Sequence, residues 1–160
     1  MSEQLRSGHI REINGPILRI HLPGGRNGEQ VRIGSLDIVG EIIALEGADA
    51  IVQAYESTDG LKPGEAVEGL GHPLTVELGP GMLEGIFDGV QRPLVGIREQ
   101  SGSAYVGRGI QIPALSSEAK WDFTPKVEEG AEVRGGQLLG VCPETELIEH
   151  RVLVPPRVSG

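Results

Sequence analysis

From residue 8 the chain sets apolar against polar positions in short bursts of period two. Gly8-His9-Ile10-Arg11-Glu12-Ile13 reads as a half-buried strand, Asn14-Gly15-Pro16 breaks it, and Ile17-Leu18-Arg19-Ile20-His21-Leu22 resumes the alternation. Pro23-Gly24-Gly25-Arg26-Asn27-Gly28 is a loop by composition. Further apolar bursts follow at residues 30–33, 39–45 and 50–55, the last two joined by the tight Glu46-Gly47-Ala48-Asp49 connection. Asp59-Gly60 and Pro63-Gly64 are turn signals before two last strands, around Ala66-Val67 and over Leu74-Thr75-Val76-Glu77-Leu78. Roughly six strands at spacings of about 8–12 residues predict a small closed β-barrel, because closure removes the exposed edges of an open sheet. A barrel of about 75 residues buries a modest fraction of its surface and is expected to lean on neighbouring protein.

From Gly79 the texture changes. Met82-Leu83-Glu84-Gly85-Ile86-Phe87-Asp88-Gly89 has apolar spacing that predicts one or two helical turns, with Gly89 as the stop. Gln91-Arg92-Pro93-Leu94 leads into a polar stretch, 98–103, that reads as a linker. Residues 105–160 turn β-like again. Val127 to Gly140 carries a Val-x-x-Gly-x-x-Val-x-x-Gly rhythm in which glycines turn the chain and valines point inward, and Val152-Leu153-Val154-Pro155-Pro156 is a strand followed by a stop. The expected organisation is all-β: a six-stranded barrel over 1–78, a short helical connector over 79–104, and a second β domain, barrel-sandwich-like, over 105–160.

Composition narrows the picture. The 160 residues fit one ordinary domain or two small ones. A formal net charge of −9 with only 14 Lys plus Arg, scattered singly, argues against a nucleic-acid partner, since phosphate binding needs clustered cations. The single cysteine, Cys142, excludes an intrachain disulfide framework and fits a reducing compartment. No apolar run approaches the roughly 18 residues of a membrane span, and the N-terminal MSEQLRSGHI has no apolar signal region, so a cytoplasmic location without membrane insertion is expected.

Candidate chemistry is thin. Gly24-Gly25 and Gly79-Pro80-Gly81 resemble phosphate cradles only superficially, because neither opens a helix after a strand with a lysine in place. His9, His21, His72 and His150 match no metal-ligand spacing with or without Cys142. Cys142 lies beside Pro143 with no basic neighbour and reads as a packed thiol. Glu128-Glu129, Glu144 and Glu146 read as a solvated acidic face ahead of general acid–base groups. Arg92 is open between a salt bridge joining the barrel to a following domain and a local or exposed role, and Trp121 reads as a core or interface anchor. Catalytic, cofactor-binding and metal-ligating residues are therefore expected to number none.

The ordered blocks resemble one family closely. The opening Gly8-His9-Ile10 through Asn14-Gly15-Pro16-Ile17 is similar to the first strands of rotary ATPase hexamer subunits. Val39-Gly40-Glu41-Ile42-Ile43, Gln53-Ala54-Tyr55-Glu56 and Gly60-Leu61-Lys62-Pro63-Gly64-Glu65 continue the pattern. Gly71-His72-Pro73-Leu74-Thr75-Val76-Glu77-Leu78-Gly79-Pro80-Gly81 and Ile86-Phe87-Asp88-Gly89-Val90-Gln91-Arg92-Pro93-Leu94 are its most specific blocks. Beyond them, Pro113-Ala114-Leu115, Lys120-Trp121-Asp122-Phe123-Thr124-Pro125, Pro143-Glu144-Thr145 and Ile148-Glu149-His150-Arg151 resemble the bulge insertion of the catalytic A subunit of V-type and archaeal-type rotary ATPases.

The resemblance implies a barrel packed in a ring with neighbouring A and B subunits, and an outer bulge offering contacts to peripheral stalk subunits. It also implies a full-length protein on the cytoplasmic face of a membrane complex, coupling ATP hydrolysis or synthesis to H⁺ or Na⁺ transport. The bulge is expected to be cut short at Gly160, its last strands losing partners. The family's ATP chemistry needs a glycine-rich loop ending in Gly-Lys-Ser/Thr. The three lysines here, Lys62, Lys120 and Lys126, follow Leu61, Ala119 and Pro125, so ATP and magnesium are expected only in the full-length protein. Two other readings compete. The 127–139 rhythm resembles half of a lipoyl or biotinyl carrier domain, but Glu144-Thr145-Glu146-Leu147 puts leucine where a carrier has its modifiable lysine. A free-standing small-molecule-binding β module is the other, and no residue pattern selects its ligand.

Overall fold

The computed structural model describes residues 5–83, 85–103 and 105–160. Residues 1–4, which begin the N-terminal stretch scanned above for a signal, and Glu84 and Ala104 in the expected connector, lie outside the described residues. Among the described residues ten elements follow in order: β1 (Arg6–Asn14), β2 (Ile17–His21), β3 (Glu29–Ile33), β4 (Ile38–Glu46), β5 (Asp49–Ala54), β6 (Ala66–Pro73), α1 (Leu94–Ser101), β7 (Thr124–Pro125), β8 (Leu138–Pro143) and β9 (Glu149–Leu153). They fall into two compact units: the residues up to Val76 with Gly96–Gln111, and Glu77–Val95 with Ile112–Gly160. The expected connector, 79–104, contributes to both.

In the first unit β1 to β6 close into a barrel of order β1-β2-β5-β4-β3-β6, every pair antiparallel. Alternation explains the closure. Ile10, Leu18, Ile20, Val31, Ile33, Ile38, Ile42, Val52 and Val67 point inward and are essentially fully buried. Irregular register after Ile10 in β1 and after Ile42 in β4 bends those strands, as a small barrel needs. Two glycines mark where backbones approach too closely for a side chain. A Cβ on Gly8 would overlap the His21 carbonyl oxygen, and one on Gly40 would sit 2.9 Å from both Ile33 and Val52.

Three expectations fail in instructive ways. Leu74 to Leu78 is not a strand; β6 ends at Pro73, and Val76 and Leu78 stand exposed. The backbone there is held by a side chain, since Glu77 N–H donates to Gln91 Oε1 and Gln91 Nε2 donates back to the Glu77 carbonyl, both at 2.6 Å. The described part of Met82 to Gly89 is not helical. It holds one turn, closed by Gly85 N–H to the Met82 carbonyl, and then a bridge between Phe87 and Pro93. The helix comes later, as α1, and takes in Arg98 to Ser101 of the expected linker. Pro93 precedes its first residue, and Gly102, at φ 65°, donates to the Arg98 carbonyl and ends it. Finally, regular strands in the last third begin only at Thr124, not near Tyr105.

In the second unit β7, β8 and β9 form an antiparallel sheet in that order. Val133 and Gly160 exchange backbone hydrogen bonds of 2.7 and 3.2 Å beside an Arg134–Ser159 bridge, so the 127–140 rhythm pairs with the final residues. Val141, Cys142 and Val154 are buried, and the Phe123 ring covers Gly140 so closely that no side chain fits there.

Candidate functional site

The outward face of the barrel carries a charge cluster around Asp49. Register aligns His9 with His21, His21 with Asp49, and Asp49 with Glu46, so one row crosses β1, β2, β5 and β4. His21 Nδ1 lies 2.9 Å from Asp49 Oδ1, and Arg11 Nε lies 3.1 Å from the same oxygen. A proton on Nδ1 donates to Asp49 and leaves Arg11 to bond Asp49 through Nε; the tautomer follows from the partners. Arg19 pairs with Glu46 and approaches Asp49. The His21 hydrogen bond, against the opposing effect of burial and with the nearby Arg11, His21 and Arg19 charges, holds the Asp49 carboxyl below the usual range. The His9 and His21 rings sit 5.3 Å apart.

A different arrangement locks the barrel where β1, β3 and β6 meet. Glu29, only 2% exposed, opens β3. Its Oε1 accepts from Arg6 and from Gly71 N–H at 2.9 Å, while Oε2 accepts from Arg26 N–H at 2.9 Å. One carboxylate thus joins β1, β3, β6 and the β2–β3 loop. A buried charge needs this degree of pairing to be tolerated. Residues after α1 also belong to the first unit: Gly109 N–H donates to Glu56 at 2.7 Å, and Arg108 donates to the Asp59 carbonyl.

The second unit uses two carboxylates in the same manner. Asp88 Oδ1 accepts from the N–H groups of Val90 and Arg92, and its Oδ2 accepts from Arg92 Nε at 2.7 Å. Burial pushes Asp88 upward, but the backbone and guanidinium hydrogen bonds of Arg92, with the Val90 N–H, outweigh it and depress its pKa. Glu144 Oε1 accepts from Gly81 N–H at 2.7 Å and Leu83 N–H at 3.1 Å. The Leu83 hydrogen bond, against the opposing effect of burial and aided by Gly81, His150 and Met82, lowers the Glu144 pKa.

The residues singled out in the sequence are scattered. Lys62, Lys120 and Lys126 are all exposed. The N–H groups of the glycine-rich loops bond internally: Gly25 to the Leu22 carbonyl, Gly28 to the Ile42 carbonyl, and Gly81 to Glu144. His9 and His21 come together, whereas His72 Nδ1 lies 2.7 Å from the Pro73 carbonyl and His150 sits opposite Cys142 in β9. Cys142 is a buried free thiol. Arg92 bonds Asp88 locally, and the Trp121 ring packs over Gly81. Glu128, Glu129 and Glu146 are exposed, but Glu144 is a backbone clamp and not part of a solvated face. Among the described residues no three His, Cys, Asp or Glu side chains gather as a metal site, and no helix is long and apolar enough to cross a membrane. Sequence reasoning missed Glu29 and the Asp49 cluster. A glutamate opening an alternating strand gives no sign of burial, and the cluster exists only once four strands are in register.

Residues 10–71 match the beta-barrel domain of the ATP synthase alpha/beta family, and residues 112–160 match the alpha/beta subunit barrel-sandwich domain. The chain belongs to the ATP synthase alpha/beta family. It is similar to the V-type ATP synthase alpha chain of Nitrosococcus oceani, 54% identical over 96% of this chain and 26% of that one. It is similar also to the A subunit of the A-type ATP synthase of Thermococcus sibiricus, 51% identical over the same shares. The chain therefore spans about a quarter of the length of these relatives. Among solved structures, the assembled ATPase EscN of the enteropathogenic E. coli type III secretion system matches with a TM-score of 0.50 and 27% identity, over 54% of this chain and 21% of that one. Within the ATP synthase family this chain is the N-terminal barrel region of an A subunit, with its barrel-sandwich extension. The carrier and free-standing-binder readings are not favoured.

Proposed function

We propose that this region is the collar of a catalytic A subunit, tying alternating A and B subunits into a ring on the cytoplasmic face of a membrane-bound rotary ATPase. The remainder of the full-length protein then supplies ATP hydrolysis or synthesis coupled to H⁺ or Na⁺ transport, while the barrel-sandwich unit offers outer surface to peripheral stalk subunits. The observation that carries the reading is the pairing of a closed barrel with a barrel-sandwich unit in one chain about half identical to A-type and V-type A subunits.

The physical case follows from the barrel itself. A collar must keep its own shape while neighbouring parts move, and the Glu29 lock fastens staves that are distant in sequence. Its outer side leaves Leu36, Ile43 and Leu45 nearly half exposed, apolar area that an interface between subunits covers. ATP chemistry lies outside this region because no lysine here follows a glycine. Hydrogen exchange of the chain, alone and mixed with the B subunit, tests the reading. Slowed exchange of outer barrel strands on mixing supports it. Unchanged exchange there, or micromolar Mg-ATP binding by the chain alone in calorimetry, counts against it.

A further inference from the structure

Two histidines stand directly opposite each other on the outer face of the barrel. His9 on β1 pairs in register with His21 on β2, and their ring centroids lie 5.3 Å apart with the planes tilted by 45°. That separation fits a shared ion. A metal about 2.0–2.1 Å from one nitrogen of each ring, at a tetrahedral angle, sets two imidazole centroids about 5 Å apart. The two nitrogens are also prepared. His21 gives Nδ1 to Asp49 at 2.9 Å, which fixes its ring and leaves Nε2 with the lone pair. Among the described residues the His9 ring nitrogens take no hydrogen bond, and the ring is exposed. Spacing along the chain hides such a pair, because only the β1–β2 register creates it.

We propose that His9 and His21 form a bidentate site for a divalent transition metal such as Zn²⁺, with Asp49 positioning His21 from behind. Imidazole donors select this class of ion, whereas Mg²⁺ and Ca²⁺ want oxygen. The surrounding charge permits it. Arg11 and Arg19, the cations around His21, are matched by Asp49 and Glu46 and by Glu12 opposite Arg19. On the other side of β1, β6 sets neutral Ala66 opposite His9. No third His, Cys, Asp or Glu joins the pair among the described residues, so water fills the other positions and the affinity is micromolar. Bound metal staples β1 to β2 and favours the closed barrel.

The test titrates Zn²⁺ into the chain in a non-chelating buffer by calorimetry, with NMR of the histidine ring nitrogens locating the ion. Micromolar binding is expected, shifting His9 and His21 and leaving His72 and His150 unmoved, and excess Mg²⁺ should not compete. At free Zn²⁺ about a hundred times Kd, β1 and β2 amides that exchange through barrel opening should slow about hundredfold. His9→Gln or His21→Gln should lower the affinity about tenfold or more. His9 is exposed, so His9→Gln keeps the barrel, checked by unchanged β1–β2 exchange without zinc. Asp49→Ala should weaken binding about tenfold, and Asp49→Asn, which keeps an acceptor for Nδ1–H, should restore part of it. No zinc binding, binding at His72 or His150, or equal affinity in His9→Gln overturns the site. Equal affinity in Asp49→Ala overturns the positioning role.

Discussion

Replacing Glu29 with alanine should open the barrel where β1, β3 and β6 meet. The change strands three donors at once: the Arg6 guanidinium, Gly71 N–H and Arg26 N–H. Breaking a buried ion pair by removing one partner costs about 3–5 kcal/mol. The Arg6 side chain keeps 21% exposure, so water supports part of its charge and places the pair near the low end of that range. Each backbone N–H left dry adds about 1 kcal/mol or more, overlapping partly with the pair, so a loss of about 3–4 kcal/mol is expected. Glu29→Gln keeps one acceptor oxygen and should lose about 1–2 kcal/mol. Because the chain has two units, a single unfolding curve mixes them, and native-state hydrogen exchange of β3 and β6 amides is the better assay. A loss below about 1 kcal/mol for Glu29→Ala, the size of an exposed ion pair, would refute the lock.

Three more outcomes follow from the same structure. Gly40→Ala should destabilise the barrel by about 1–3 kcal/mol through overpacking against Ile33 and Val52, measured by the same exchange assay; a neutral result contradicts the close approach. The Glu144 clamp depends on a depressed carboxyl pKa, so its contribution is complete above the ordinary glutamate pKa and is lost as pH falls through the lowered folded value. The Gly81 and Leu83 amides should therefore lose exchange protection, after correction for intrinsic rates, only well into acid, and Glu144→Ala should remove it at neutral pH; equal protection in the variant contradicts the clamp. Cys142, 5% exposed, should react with a thiol reagent only as the second unit opens, and labelling at the rate of a free cysteine in native buffer contradicts its burial.

The barrel staves were legible because their inward positions are isoleucine, leucine and valine at period two, a signal that survives without tertiary information. β6 was the exception: Glu68-Gly69-Leu70-Gly71-His72-Pro73 carries two glycines and a terminal proline, which argue against a strand, yet it pairs with both β1 and β3. Gly69 is needed there because a Cβ would stand 2.7 Å from Glu29 Oε1. The helix was misplaced because apolar spacing at Met82 to Phe87 outweighed quieter signals. Pro93 and Gly102, the punctuation that bounds α1, were both in view. The buried Glu29, the Asp49 row and the Glu144 clamp were not legible, since each joins residues brought together only by the completed fold.

The central claim is that this region holds a ring of subunits together while chemistry happens elsewhere in the full-length protein. Its most direct test is native mass spectrometry of the full-length protein, with and without residues 1–76, co-expressed with the B subunit. The account predicts an alternating hexamer from the intact protein and only smaller species once the barrel is removed. Hexamers forming in equal yield without the barrel would contradict it.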